Sequence, residues 1–291
     1  RVLILIYDRL KELGMQPDEI YQQAVNEERE RIGRTIGLMA KISKVLVEAG
    51  IEFVFIKNYQ HYPDMGEDID LFVQEQTNAA DSVLVGNFKV KPCKRTLLNR
   101  VAGKTQYTLE GWPFEVEIHH GRLGSMGEHT VFPKFLLQNR RVVEIRGVKL
   151  WVPSQEDQFI IQVLQRVYGR FYLRISELVY AVNAILMGSF DWDYIIQTTK
   201  SIGIFDGLRF YLNCVKLIYQ NVMKKSLPLN KSRLSLPEMP VKIKFSDFYY
   251  RLPLQTVARS LYMKKLFLDI KASRWMEVRR TCLLPFFAAL I

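Results

Sequence analysis

The first change of hydrophobic period in the chain falls near residue 50. Before it, Ile36, Met39, Ile42, Val45 and Leu46 recur at helical spacing, which predicts a helix over residues 18–49. Asp18 and Glu19 after Pro17 suit a first helical turn, and Gly50 suits the C-terminal cap. After it comes IEFVFIK, residues 51–57, an apolar run of strand length. A loop with Pro63 and Gly66 follows, and residues 68–73, DIDLFV, alternate as a strand does.

Residues 76–86 read as a helix, residues 89–91 as a short strand and residues 94–100 as a basic loop. Residues 105–110 and 114–119 alternate on either side of Gly111-Trp112-Pro113, a hairpin signal. A second hairpin is predicted around Arg146-Gly147, between residues 141–145 and 148–152. Beyond Pro153 the pattern turns helical, opening with Ser154 as N-cap and Asp157 three residues on. It runs to about 223 with breaks at Gly188-Ser189 and Gly203. Residues 226–256, with Pro228, Pro237, Pro240 and Pro253, read as an irregular connection, and residues 257–282 as helix again. The expectation is an α+β chain: a mixed sheet with flanking helices over residues 1–153, then a mostly helical domain over 154–291. It begins with Arg1 and ends on an apolar stretch, so it reads as a piece of a longer protein.

The strands carry the candidate chemistry. Alternate side chains of a strand share a face. Asp68 and Asp70 therefore project together, opposite Ile69, Leu71 and Val73. Glu115, Glu117 and His119 likewise share a face opposite Phe114, Val116 and Ile118. If the two strands are neighbours, three or four carboxylates converge. Carboxylates so placed raise one another's pKa, and a hard divalent cation with oxygen ligands relieves the repulsion. Two such ions about 3.5–4 Å apart stabilise the attacking and leaving oxygens of a phosphoryl transfer. Mg²⁺ is the natural ion, with Mn²⁺ as substitute, because it binds a few carboxylates plus substrate phosphates. The plainer reading is a sheet with one wet face.

At this point the chain resembles a known family. Phe55-Ile56-Lys57-Asn58, ten residues before Asp68-Ile69-Asp70-Leu71, is similar to the nucleotidyltransferase signature. There a strand ends in a Gly-containing turn, a loop follows, and an Asp-x-Asp strand comes next. The group it most resembles is bacterial and archaeal, with a strand-ending Lys-Gly and a third acid followed by x-His, here Glu117-Ile118-His119. Val152-Pro153-Ser154, the segment 174–178 and Asp191-Trp192-Asp193 resemble its helical half, and the likeness spans roughly residues 35–220. It implies metal ligation by Asp68, Asp70 and Glu117, and nucleotide contacts from Lys57, Asn58, Gly66 and His119. It implies transfer of a nucleoside monophosphate from an NTP such as ATP. Asn58 in place of Gly, Glu67 in place of a small hydroxyl residue and Glu117 in place of Asp are departures.

Charge bears on partners. Residues 201–291 hold 16 Lys and Arg against 5 Asp and Glu, and residues 1–200 hold 25 of each, so the whole +11 lies in the last third. That asymmetry points to an anionic acceptor, RNA such as tRNA first, and leaves peripheral contact with an acidic membrane open. Protein is a further candidate acceptor. Within 257–282, Leu261, Met263, Leu266, Phe267, Leu268 and Ile270 accompany Arg259, Lys264, Lys265, Lys271 and Arg274; the apolar side is expected to pack on the helical half. Tyr249 and Tyr250 beside Arg251 can stack on bases or pack internally. Lys94, Arg95 and Arg100 read as a solvated loop or as a contact to the acceptor or the triphosphate. Cys93, Cys214 and Cys282 form no CxxC pair, which argues against disulfides and structural zinc and fits a reducing, cytoplasmic setting. No apolar run reaches the roughly 18 residues of a bilayer span. Two rival readings remain: a non-catalytic relative that binds nucleotide or RNA, and a glycosyltransferase that uses Asp-x-Asp.

Overall fold

A computed structural model describes the chain apart from residues 1, 58, 67, 94–95, 113, 230–233, 235–242, 247–248, 252–256, 258 and 289–291, together with the side chains of 77, 92, 246 and 284–288. The expectations placed on Asn58, Glu67, Lys94, Arg95, Pro113, Pro237, Pro240 and Pro253 therefore lie outside the described residues. The chain divides into two units, one of residues 1–96, 104–121 and 140–153, the other of residues 97–103, 122–139 and 154–291.

The first unit is a five-stranded sheet backed by helices. Helix α1 spans Leu3–Glu12 and α2 spans Glu19–Glu48. The Asp18 side chain accepts from the Tyr21 amide at the start of α2, and Gly50 follows its end with φ +67°. The strands are β1 (Phe53–Phe55), β2 (Ile69–Val73), β3 (Val90–Pro92), β4 (Lys104–Leu109) and β5 (Glu115–His120), in spatial order β1-β2-β5-β4-β3. Only β2 and β5 run parallel. A parallel pair needs a long crossover. Here it is helix α3 (Thr77–Asn87), β3, a short helix α4 (Leu97–Ala102) and β4.

The apolar alternation now has its partner. Ile69, Leu71, Val73, Val116 and Ile118 pack in one buried cluster with Ile32, Ile36, Met39, Ile42 and Leu46 of α2. After a short helix α5 (Pro133–Gln138), strands β6 (Arg141–Ile145) and β7 (Val148–Val152) form the expected hairpin. Arg146 and Gly147 both take positive φ at its turn, as a two-residue hairpin of the favoured twist requires. Leu150 and Val152 complete the cluster. The sheet order and the flanking helices make this the expected α+β fold.

The second unit is helical: α6 (Gln155–Gln165), α7 (Ile175–Leu186), α8 (Trp192–Ser201), α9 (Phe205–Met223), α10 (Arg259–Lys271) and α11 (Trp275–Ala288). Ser154 caps α6 by accepting from the Asp157 amide at 3.0 Å. Three expectations need correction. The basic stretch 94–100 is a loop only in part, because Leu97, Leu98, Val101 and Ala102 carry it into α4, which includes Arg100. The connection 226–256 holds β9 (Lys244–Ser246) and β10 (Tyr249–Arg251), which form a three-stranded sheet with β8 (Tyr172–Arg174) in the order β8-β10-β9. In that sheet Tyr249 packs on Tyr172 and Tyr250 on Phe245, with ring centroids 4.7 and 4.9 Å apart.

The third correction concerns α10. Leu261 is buried and Leu266 half-buried, but Met263, Phe267, Leu268 and Ile270 stay exposed, while Lys265 and Asp269 are buried. Lys265 is only 1% exposed and bonds both Asp269 and Glu277, so its charge is compensated where it is buried. Glu277 also accepts from the amides of Thr130 and Val131 at 2.8 and 3.1 Å.

This cluster has a pH signature. Burial alone would push the Glu277 carboxyl up, but Lys265, the two amides and His129 hold it down to about 2. A depressed carboxyl adds stability above its ordinary value of about 4.3 and loses it as pH falls toward the folded value. Burial, with repulsion from Glu277, pushes the Asp269 carboxyl up despite Lys265 and Arg274, so it adds no acid-labile stability of this kind. Glu277→Gln is expected to cost about 3–5 kcal/mol at pH 7, because it removes one of the two carboxylates that compensate a buried ammonium. The wild type should lose this advantage between about pH 4.5 and 2. Urea unfolding of both proteins at pH 7 and pH 3 measures the difference.

Candidate active site

The parallel register of β2 on β5 sets Asp70 opposite Glu117 and Phe72 opposite His119. The antiparallel register of β4 on β5 sets Lys104 opposite His119 and Gln106 opposite Glu117. One face of three adjacent strands thus gathers Asp70, Glu117, His119, Lys104 and Gln106. The other face of the same strands is the apolar cluster described above.

The contacts are dense. His119 Nε2 lies 3.1 Å from Asp70 Oδ1 and 2.7 Å from Glu117 Oε1. Lys57, two residues past β1, pairs with the same Asp70 oxygen. Lys104 Nζ donates to Glu117 Oε1 at 3.0 Å, and Gln106 Nε2 donates to Glu115 at 2.8 Å and to Glu117 at 3.3 Å. Asp70 and His119 are buried, at 6% and 2% exposure. Asp68 is exposed at the entry to β2, and its carboxylate accepts a backbone hydrogen bond from Glu115.

Electrostatics sort the four acids into two pairs. Burial would raise Asp70, yet Lys57 and His119 outweigh it, along with the repulsion from Glu117, and hold the carboxyl below its usual range. Burial would raise Glu117 too, but His119, Lys104 and Lys57 hold it far below the usual carboxylate range. Asp68 goes the other way, raised by partial desolvation at the rim of the site and then by repulsion from Asp70. Glu115 is raised by burial and by its neighbours Asp68 and Glu117. The inner pair is fixed as anions, and the outer pair sits in the negative field that the inner pair leaves.

The loop before β2 is held from below. Arg31 of α2 is buried, forms a two-point ion pair with Glu28, and donates to the carbonyls of Met65 at 2.7 Å and Gly66 at 3.0 Å. Asp64 accepts from the amides of Ile4 and Leu5, both at 3.0 Å, and so caps α1. Gly66 is therefore a half-buried residue of an anchored loop.

The proposed inner acids Asp70 and Glu117 meet, with Lys57 and His119 beside them. His120 lies on the opposite face, bonded to Thr105 at 2.8 Å. Arg100 lies in α4 of the second unit. Sequence reasoning missed Lys104, Gln106, Arg31 and Asp64. Lys104 and Gln106 share one face by alternation, but the strand read from residue 105 left Lys104 out and did not give the register that sets this face against the acidic strand. Arg31 and Asp64 had no signal, because their partners lie far away in the chain.

Ligand atoms of Asp70, Glu117 and His119 all fall within 4.8 Å of one another. Neighbouring ligands of one octahedral ion at 2.0–2.1 Å stand about 3 Å apart. The two distances from His119 to the carboxylates match that spacing, so these residues fit a divalent cation.

A sheet of this order, with acids at its parallel pair and a basic residue ending the strand before it, defines a nucleotidyltransferase-type domain. Residues 1–220 match the family described as uncharacterised nucleotidyltransferase, and the chain belongs to that family. Two solved structures are similar to it. One is the complex of a CCA-adding enzyme with ATP, 11% identical with a TM-score of 0.31, covering 83% of this chain and 59% of that one. The other is a tRNA-processing enzyme in an apo form, 8% identical with a TM-score of 0.31, covering 84% and 64%. The chain thus spans less than two thirds of either. No curated protein matches it. Among the described residues, no helix is long and apolar enough to cross a membrane.

Arg31→Gln is expected to cost about 1–3 kcal/mol, since it removes the ion pair with Glu28 and the hydrogen bonds to two loop carbonyls. Urea unfolding reads the loss. Limited proteolysis should show faster cutting within residues 59–66, and unchanged cutting there would refute the anchoring role.

Proposed function

We propose that this nucleotidyltransferase moves a nucleoside monophosphate from an NTP, with ATP a candidate, to a nucleophile on a polyanionic acceptor. The observation that carries the reading is the pairing of Asp70 with Glu117 across the parallel strands, with Asp68 at the rim. Asp68, Asp70 and Glu117 would hold Mg²⁺ or Mn²⁺. The bound cation would activate the acceptor oxygen as a Lewis acid and neutralise the leaving pyrophosphate. In the reaction a bond forms between the acceptor oxygen and the α-phosphorus. The α–β phosphoanhydride bond breaks, and pyrophosphate leaves.

The chain's own residues take the remaining roles. Lys57 would turn from Asp70 to the triphosphate, where a compact ammonium offers three donors. The anchored loop through Gly66, with Asn58 at its start, would line the phosphates. His119 would keep both inner carboxylates oriented. The surplus of Lys and Arg in residues 201–291 supports a nucleic acid such as tRNA as acceptor, with protein as the other candidate. Chemistry would then belong to residues 1–153 and acceptor binding to residues 154–291. The three cysteines are free, which agrees with a reducing, cytoplasmic setting.

Family membership weighs against glycosyl transfer. The ion pairs of Lys57 and Lys104 favour one second reading, a relative that binds nucleotide without turnover, because ammonium groups already neutralise the inner acids. Incubation with each labelled NTP, Mg²⁺ or Mn²⁺ and total cellular RNA and protein separates the two. Label should appear in RNA and fall at least about 100-fold in an Asp68→Asn, Asp70→Asn double variant. Lys57→Met should raise KM for the NTP about tenfold, a loss of one charge-assisted contact. Label transfer that persists in the double variant would overturn the site. NTP binding without incorporation would replace the enzyme with the binding module.

A further inference from the structure

We infer that His119 is itself a cation ligand, so that Asp70, Glu117 and His119 form a mixed nitrogen–oxygen seat that prefers Mn²⁺ to Mg²⁺. This rests on the metal-dependent reading above and adds a ligand that the three-carboxylate set does not contain.

Geometry is the first ground. His119 Nε2 approaches one oxygen of each inner carboxylate, at 2.7 and 3.1 Å. A single Nε2–H can aim at one of those oxygens but not squarely at both. With the ring proton on Nδ1 instead, the Nε2 lone pair is free to bind a cation beside the two carboxylate oxygens, and the three ligand atoms lie within 4.8 Å of one another.

Confinement is the second ground. The ring is almost wholly buried, so it cannot swing to solvent when a cation arrives. Nδ1 is buried and has no hydrogen-bond partner among the described residues, so the polar contacts of the ring are made through Nε2, on the side of the two carboxylates. Burial of Phe72, opposite His119 in the register, helps close the seat on that side.

Charge is the third ground. The inner oxygens now share two ammonium groups, Lys57 on Asp70 and Lys104 on Glu117. A divalent ion supplies the same two positive charges from one position and releases both lysines. Ligand chemistry then sets the choice of ion. Mg²⁺ keeps to oxygen and gives up water reluctantly, whereas imidazole suits transition-metal ions, and Mn²⁺ also accepts carboxylates in octahedral geometry.

The test uses Mn²⁺ alone as probe, with the whole chain. Free Mn²⁺ is followed by its six-line electron paramagnetic resonance signal, and Mg²⁺ is added as competitor. The wild type should bind Mn²⁺ at least about tenfold more tightly than Mg²⁺. Pulsed measurements on bound Mn²⁺ should show one directly coupled nitrogen, which changes isotope signature when histidine is labelled with ¹⁵N. His119→Gln should still bind Mn²⁺ through the carboxylates, but without the nitrogen coupling and with a narrowed preference. Asp70→Asn should lose the binding, and circular dichroism checks that each variant folds. Bound Mn²⁺ with no nitrogen coupling in the wild type would overturn the inference. So would the same coupling in His119→Gln. Either result leaves the carboxylate-based transferase standing if label incorporation persists. Absence of Mn²⁺ binding in the wild type would bring down both.

Discussion

Two carboxylates face each other across the one parallel strand pair of the sheet, inside a largely buried layer. In low dielectric that arrangement is unstable without nearby positive charge. The architecture around it can be read as the supply of that charge. Strand β1 ends so that Lys57 reaches Asp70, and β4 lies beside β5 so that Lys104 reaches Glu117. His119 stands two residues beyond Glu117, on the same face, and touches both acids. The crossover needed for a parallel pair brings β4 in as a neighbour as well.

The same constraint explains the loop between β1 and β2. It must leave Asp68 at the rim and return the chain as β2 in a fixed register. A one-residue slip would turn Asp70 into the apolar cluster and Leu71 into the site. Arg31 grips the loop's carbonyls from α2, and Asp64 ties it to the first turn of α1. The long N-terminal helix therefore serves both the core and the site. One stripe buries Ile32, Ile36 and Met39 against the sheet, while Arg31 at its edge holds the loop.

Much of this was legible in the sequence, because alternation is local. The two-faced strands around Asp70 and Glu117, the helix up to Gly50 and the hairpin at Arg146-Gly147 all follow from spacing within a few residues. What spacing does not reveal is which strand lies beside which, and in what register. The hairpin across residues 111–113 shows this. Strands read as 105–110 and 114–119 are observed as Lys104–Leu109 and Glu115–His120. That shift decides which β4 residues meet the acids: Lys104 and Gln106 rather than Thr105 and Tyr107. In α10 the error had another cause. Apolar residues were expected to turn inward, but Lys265 meets Asp269 and Glu277, a compensation that depends on a residue twelve positions away in another helix.

Glu117 shows how a departure from the family pattern can be absorbed. An aspartate there would place its oxygens one methylene nearer the backbone. The longer side chain reaches His119, Lys104 and Gln106 together. Three partners on one carboxylate hold it ionised despite burial, while Asp68 and Glu115 at the rim are pushed toward protonation. The site therefore has an inner pair of permanent anions and an outer pair whose charge is costly. On the proposed function, a cation arriving from solvent would gain at both: it would relieve the outer acids on approach and take over from two lysines at the inner ones. Lysines displaced in this way stand beside the seat with their charge unspent, where a triphosphate would need it. On this view the lysines that neutralise the resting site and those that would receive the nucleotide are the same side chains, with the cation exchanging one role for the other.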